Sequence, residues 1–563
     1  VESAQTDFEI DPAQTTPPPL FLAKAAKVEP IEVLAPASSA VPDRLAEIAL
    51  WNRKHPGPTK NGLVRPLSIA HRLGLERDLL EDGSGSLGGG LYEKTSTGIV
   101  WGASVRVEGA DRLRLRLENV RLPVTTELWV YGDGGDSMRF GRELIRPEGD
   151  LWTPSVAGET IYLELRSRSS QFSSGTIELE VSSVAETFPL DASGAPMTDG
   201  SREKGGCLED AACYDNSDLN LLSLYKRAVA HLRYIVGGDT LLCSGALIND
   251  TDDSGFIPYL LTANHCFSTQ STASTLEAFF DYIASSCLGP APNLSTLPRA
   301  VGSTLLATST STDSTFVRLS NNPAGSRAYL GWRTAPVTSG TELYRLSHPM
   351  GFSQAFSRSV AYSPPGTCAT LPASRYVYSF STLGSTAGGS SGSPMVDSDL
   401  RVRGQLLGAC GPDPADPCNP LNNTVDGRFA LFFPTIAAFL QPPIDVCTAT
   451  STNLCLLDER FKVEVTWENF LGEIGQGEVV PFGSPDSGLF FFFDPDNWEM
   501  LVKMTDACNS PFDSYWFFAA ATTNVSYSIR VTDTQTGAFK QYFNPLGNAA
   551  AAITDTSAFS TCP

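Results

Sequence analysis

Between residues 63 and 200, apolar and polar positions alternate with a period of two. Examples are Ala103-Ser104-Val105-Arg106-Val107, Leu113-Arg114-Leu115-Arg116-Leu117, Leu128-Trp129-Val130-Tyr131 and Ile161-Tyr162-Leu163-Glu164-Leu165. Successive side chains of a strand point to opposite faces, so each run presents one apolar face. Separated by Gly, Asp and Pro turns, the runs predict a β-sandwich over 63–200. Residues 448–563 carry similar patterns, from Phe461-Lys462-Val463-Glu464-Val465 to the run Leu489-Phe490-Phe491-Phe492-Phe493, and predict a second sandwich. Residues 1–62 differ. They hold Thr16-Pro17-Pro18-Pro19, scattered Ala and Pro, and one helix-like stretch, Asp43 to Trp51, which predicts an extended or weakly ordered lead-in. Ser201 to Cys213 is polar and glycine-containing and marks a junction. The span 205–447 lies between it and the second sandwich.

Composition sharpens this picture. A chain of 563 residues exceeds one core, and abundant Gly and Pro favour a loop-rich, all-β fold. Forty basic against 62 acidic residues give a net charge of -22, which disfavours nucleic acid and anionic lipid as partners. No run is long and apolar enough for a membrane span, and Val1 opens no export signal, so a signal peptide is expected to have been removed already. All twelve cysteines lie beyond residue 200 without a C-x-x-C pair, a pattern that fits disulfides in a secreted or periplasmic protein better than zinc. No metal or cofactor is expected: the Asp-rich turns at Thr251-Asp252-Asp253 and Asp494-Pro495-Asp496 lack a full calcium loop.

The span 205–447 carries the candidate chemistry. In Gly388-Gly389-Ser390-Ser391-Gly392-Ser393-Pro394, glycines around a serine permit a tight bend that can aim the Gly389 and Ser391 amides at one oxyanion. Ser391 is therefore the candidate nucleophile. A serine hydroxyl needs a base, and the base usually an orienting acid. Of five histidines, His265 stands at the end of the apolar run Leu260-Leu261-Thr262-Ala263-Asn264, beside Cys266. Cys243, 23 residues earlier, could staple a neighbouring strand next to it. Asp313, directly before the alternating run Ser314-Thr315-Phe316-Val317-Arg318-Leu319, is the candidate acid. A matrix- or glycan-binding scaffold with a vestigial catalytic region is the rival reading, and the presence of all three residues weighs against it.

Leu261 to Cys266, Asp313 to Leu319 and Gly389 to Pro394, in this order, resemble the trypsin-like serine peptidases and are most similar to the bacterial lysyl endopeptidase group, over about 240 residues. The resemblance implies two six-stranded antiparallel barrels with His265, Asp313 and Ser391 at their junction. It implies protein or peptide substrates, an oxyanion hole at Gly389 and Ser391, and a substrate pocket near Leu407, Gly408, Ala409 and Thr424. Disulfides Cys243 to Cys266 and Cys213 to Cys287 follow from it, as does Cys207 paired with Cys418 or Cys410 and Cys368 taking the remaining one. Cys447 with Cys455 and Cys508 with Cys562 are suggested by proximity and by the limits of the tail.

Three departures matter. The aspartate that gives the lysyl endopeptidase group its lysine selectivity is Thr424 here, although a small loop shift could bring Asp426 near. Ala409 stands where that group has glycine, so a small or medium neutral P1 residue is favoured over Lys or Arg. Ser390 replaces the aspartate that receives a new N-terminus in mammalian-type zymogens. The first sandwich resembles the propeptide of these enzymes. It is expected to act as intramolecular chaperone and inhibitor until cleavage near Lys204-Gly205.

Overall fold

The computed structural model describes residues 5–7 and 30–562, except 56, 76–83, 88, 96–97, 123–125, 134–136, 141–143, 146–148, 169–176, 192–193, 197–205, 252–255, 364–367, 369–370, 442–446 and 510–511. The expected cut at Lys204-Gly205 and the Asp252-Asp253 turn lie outside the described residues. The chain divides into two units, one of residues 1–249 and 257–436, the other of 250–256 and 437–563.

In the first unit the described part of the lead-in is structured, and its helix-like stretch Asp43 to Trp51 lies within a helix. Glu32–Leu34 pairs in parallel with a strand of the sandwich, and helix α1 (Pro42–Lys54) follows. The reason is distant in sequence: Ala37 and Ile48 find an apolar seat against Leu63 and Phe188. Next come β1 (Thr59–Leu75), β2 (Gly98–Val107), β3 (Arg112–Arg121), β4 (Thr126–Gly132), β5 (Thr160–Arg168) and β6 (Ile177–Thr187). One sheet holds β2, β5 and β4, the other β3, β6 and β1. The alternating apolar positions, among them Trp101, Val105, Leu113, Leu117, Leu163 and Val181, meet in the core between them.

The first barrel comprises β7 (Val229–Val236), β8 (Asp239–Leu247), β9 (Tyr259–Ala263), β10 (Glu277–Phe279), β11 (Arg299–Val301), β12 (Ser303–Ser309) and β13 (Ser314–Leu319). Pairing runs β11, β10, β7, β8, β9, β13, β12, and β12 continues β11 past Gly302, so the ring has six sides. The second barrel comprises β14 (Glu342–Ser347), β15 (Ala355–Tyr362), β16 (Tyr376–Leu383), β17 (Pro394–Val396), β18 (Val402–Cys410) and β19 (Asn423–Arg428). Its pairing closes fully: β15, β14, β17, β18, β19, β16 and back to β15. The fold is thus all-β, a double barrel of the trypsin-like kind with a sandwich on either side in sequence.

Strand β1 has a second partner. Beyond β6 it pairs antiparallel with β8, Leu63 opposite Asp239 and Thr59 opposite Leu242, so a single sheet runs from the sandwich into the first barrel. The rest of that junction mixes apolar and polar contacts: Ile235 packs with Trp152 and Ala185, and Val301 joins the sandwich core. Arg114 Nη1 donates to Thr275 O at 2.8 Å, Arg112 Nη1 to Ser295 Oγ at 2.7 Å and Ser155 N to the Glu277 carboxylate at 2.9 Å.

The second unit holds two five-stranded sheets. Phe461, Val463, Phe490, Val502, Phe517 and Ile529 fill the space between them, which makes it the second sandwich. Disulfides join Cys207 to Cys418, Cys213 to Cys287, Cys243 to Cys266, Cys368 to Cys410, Cys447 to Cys455 and Cys508 to Cys562.

Candidate active site

His265 follows the end of β9, where the turn Ala263 to Cys266 begins and the Cys243 bridge ties it to β8. Asp313 sits at the start of β13, which pairs with β9, so sheet register alone brings the two side chains together. The Asp313 carboxylate receives both the His265 backbone N–H, at 2.9 Å, and ring Nδ1, at 2.7 Å. This pair of bonds fixes the imidazole plane and assigns the proton to Nδ1, leaving Nε2 to accept. Asp313 holds a left-handed backbone, φ 53°. Its carbonyl is pinned by Asn264 N at 3.0 Å and Gln405 Nε2 at 3.1 Å, so surrounding bonds sustain the conformation.

Ser391 comes from the turn between β16 and β17 in the second barrel. Gly389 takes φ 84°, where a side chain would be strained, and a Cβ on it would also lie 2.9 Å from His348 O. Ser390 N bonds Ala387 O and Ser393 N bonds Ser390 O, both at 3.0 Å, which tightens the turn around the nucleophile. Among the described residues neither the Gly389 nor the Ser391 amide donates to a carbonyl. Ser391 Oγ and His265 Nε2 are both buried and unbonded. The Ser390 hydroxyl, where mammalian-type zymogens carry a carboxylate, is met by Ser347 Oγ at 3.1 Å and Ala387 N at 3.3 Å.

Beside this turn is a cavity of about 30 Å³ lined by Met350, Thr386, Ala387, Gly388, Leu406, Gly408, Ala409 and the loop residues Pro414, Ala415 and Pro417. Gly408 and Ala409 line it, whereas Leu407 and Thr424 do not. Strand register shifts between Leu406 and Gly408, and Leu407 packs instead with Tyr376, Tyr378 and Val425. Thr424 is buried in sheet pairing with Ser379. Asp426 is also no reserve of charge for the pocket. It is fully buried in β19 and bonded to Arg345 Nη2; burial raises its pKa and the guanidinium opposes that rise.

Sequence reasoning missed what reaches the cleft from the N-terminal region. Asn52 of α1 is a lining residue of the cavity. A Cβ on Gly57 would lie 3.6 Å from His265 Cδ2, and Gly57 O is 3.6 Å from the corresponding position on Gly388. The same position on Gly388 also abuts Thr59 Oγ1. Residues 57–59 therefore pass between the imidazole and the nucleophile turn. No local signal in Gly57-Pro58-Thr59 announces this, since the placement follows from β1 pairing with β8.

Residues 201–418 match the family described as lysyl endopeptidase, C-terminal domain. A lysyl endopeptidase of Pseudomonas aeruginosa is 25% identical over 338 residues, covering 59% of this chain and 72% of that protein. A secreted RxLR effector protein 73 of Plasmopara viticola is 25% identical over 306 residues, 51% of this chain and 71% of that protein. Among solved structures, the Rv3671c protease of M. tuberculosis in its active form covers 42% of this chain and 91% of its own, at 12% identity and a TM-score of 0.27. The sequence similarities support a serine peptidase. Among the described residues no helix is long and apolar enough to cross a membrane, and six disulfides fit an oxidising compartment.

Proposed function

We propose that the chain is a secreted serine endopeptidase made as a precursor, with residues 205–447 as the catalytic region. Ser391 attacks the scissile carbonyl, His265 takes the hydroxyl proton and passes it to the leaving amine, and Asp313 holds the imidazole and stabilises its charged form. The amides of Gly389 and Ser391 bind the oxyanion of the tetrahedral intermediate, and water then hydrolyses the acyl-enzyme. The observation that carries this reading is the doubly bonded His265–Asp313 pair, whose Nε2 is buried and unbonded, as is Ser391 Oγ, with Gly57 close to both the imidazole and Gly388 of the nucleophile turn. The absence of a direct Nε2 to Oγ bond is ordinary before substrate tightens the site.

The P1 residue is small or medium and neutral. Ala409 in the wall of the cavity, where the lysyl endopeptidase group has glycine, favours this, as does the commitment of Asp426 to its ion pair with Arg345. Residues before about 204 form the inhibitory region, because Gly57 and Asn52 stand where a substrate would lie. Cleavage near Lys204-Gly205 then frees the cleft. Residues 448–563 form an accessory sandwich.

A fluorophosphonate probe tests the chemistry: the processed protein should label at Ser391 and lose labelling in Ser391→Ala. Absence of labelling after removal of the N-terminal region favours a silent scaffold. A P1 library should return Ala, Ser, Val or similar residues, and a sharp preference for Lys would refute the pocket reading.

A further inference from the structure

Ser244 follows Cys243 in β8 and is completely buried. All its polar atoms are engaged. Its N–H donates to Ser391 O at 2.8 Å, its carbonyl accepts from Thr262 Oγ1 at 2.8 Å, and its hydroxyl accepts from His348 N and donates to Gly389 O, both at 2.9 Å. One residue of the first barrel thus grips the second barrel's nucleophile turn on both sides of Ser390.

In a trans peptide the carbonyl and the amide hydrogen point in opposite directions, so bonding a carbonyl fixes the aim of the amide that shares its plane. Gly388 O is held by Met350 N at 2.6 Å, which turns the Gly389 N–H away from that loop. Ser390 O is held by Ser393 N at 3.0 Å, which does the same for the Ser391 N–H. The peptide between these two, Gly389 to Ser390, has its carbonyl held by the Ser244 hydroxyl. That peptide follows the turn's most permissive residue, Gly389, and the hydroxyl also anchors the loop that carries Met350 N, through His348 N.

We propose that Ser244 is a positioning residue for the oxyanion hole, its hydroxyl preventing the Gly389–Ser390 peptide from rotating and so keeping both hole amides convergent. The proposal rests on the serine endopeptidase reading. The hydroxyl contacts no reacting atom and acts through Gly389. A purely structural role, in which the hydroxyl only satisfies two buried backbone groups, predicts a different outcome.

The full chain and its Ser391→Ala, Ser244→Ala and Ser244→Thr variants are processed identically and assayed on a chromogenic peptide, with active sites counted by the end point of a fluorophosphonate titration. Ser244→Ala should lower kcat per titrated site by about tenfold to a hundredfold while KM moves less than about threefold. Inhibition by a peptide aldehyde, which forms a tetrahedral adduct, should weaken in step with kcat/KM. Ser244→Thr, which keeps the hydroxyl, should restore both. A lowered Tm with unchanged kcat per titrated site overturns the proposal, as does a raised KM at constant kcat. If the wild-type protein shows no turnover that depends on Ser391, the peptidase reading itself falls and takes the proposal with it; this comparison is made before either Ser244 variant is read.

Discussion

At the scale of single residues, the site gathers groups whose strain and burial make sense only together. Asp313 holds φ 53°, which a β-branched residue would resist, and spends both carboxylate oxygens on His265. Asp313→Asn retains the shape but offers an amide where Nδ1–H needs an acceptor, favouring the wrong tautomer. The expected result is a fall in kcat of about 10³- to 10⁴-fold with little change in Tm, checked by steady-state assay and thermal melting on the processed protein. Arg345 and Asp426 are a buried pair of another kind. Truncation to Asp426→Ala strands a guanidinium that also bonds Ser393, and should destabilise by about 3–5 kcal/mol in denaturant titration.

At the scale of elements, β1 does two things at once. It completes one sheet of the sandwich through β6 and extends the first barrel through β8, and this second pairing carries Gly57 to Thr59 into the cleft. Gly62 makes the double pairing possible: a Cβ there would collide with Glu186 O and Thr240 Oγ1 and lie 2.8 Å from Thr187 Cα. Gly62→Val should therefore pry β1 from one of its partners, at a cost of about 1–3 kcal/mol for the overpacking. The measurable consequence is faster fluorophosphonate labelling of Ser391 in the unprocessed chain than in wild type. An unchanged rate would show that β1 does not guard the cleft.

At the scale of the whole molecule, the first unit is held at the sandwich-to-barrel junction by charge as well as by β1. Burial raises the Glu277 pKa, but the Arg114 and Arg299 guanidiniums outweigh that and bring it from 4.5 down to about 2. A carboxyl depressed in this way contributes stability that is full above its unfolded value near 4.5 and is lost progressively as pH falls from there through about 2. The junction should thus weaken steadily between about pH 5 and pH 2, a trend followed by thermal melts across that range. Glu277→Gln should remove most of that acid transition.

Much of this molecule was legible in its sequence, because the information is local. A period of two fixes which face of a strand is apolar, and so two sandwiches and a β-rich middle follow from Leu113 to Leu117 or Phe461 to Val465 without reference to anything distant. Glycine on both sides of Ser391, an apolar run ending at His265 and an aspartate heading an alternating strand are local too. Tertiary structure alone decided what depends on partners far along the chain. Residues 37–48 are seated because Phe188 and Leu63 receive Ala37 and Ile48; Leu407 packs with Tyr376, Tyr378 and Val425 beside a register shift between two strands; Asp426 is paired with Arg345, eighty-one residues away. The occupant of the cleft and the Ser244 grip belong to this second class, since pattern along a chain specifies faces, whereas pairing between strands specifies neighbours.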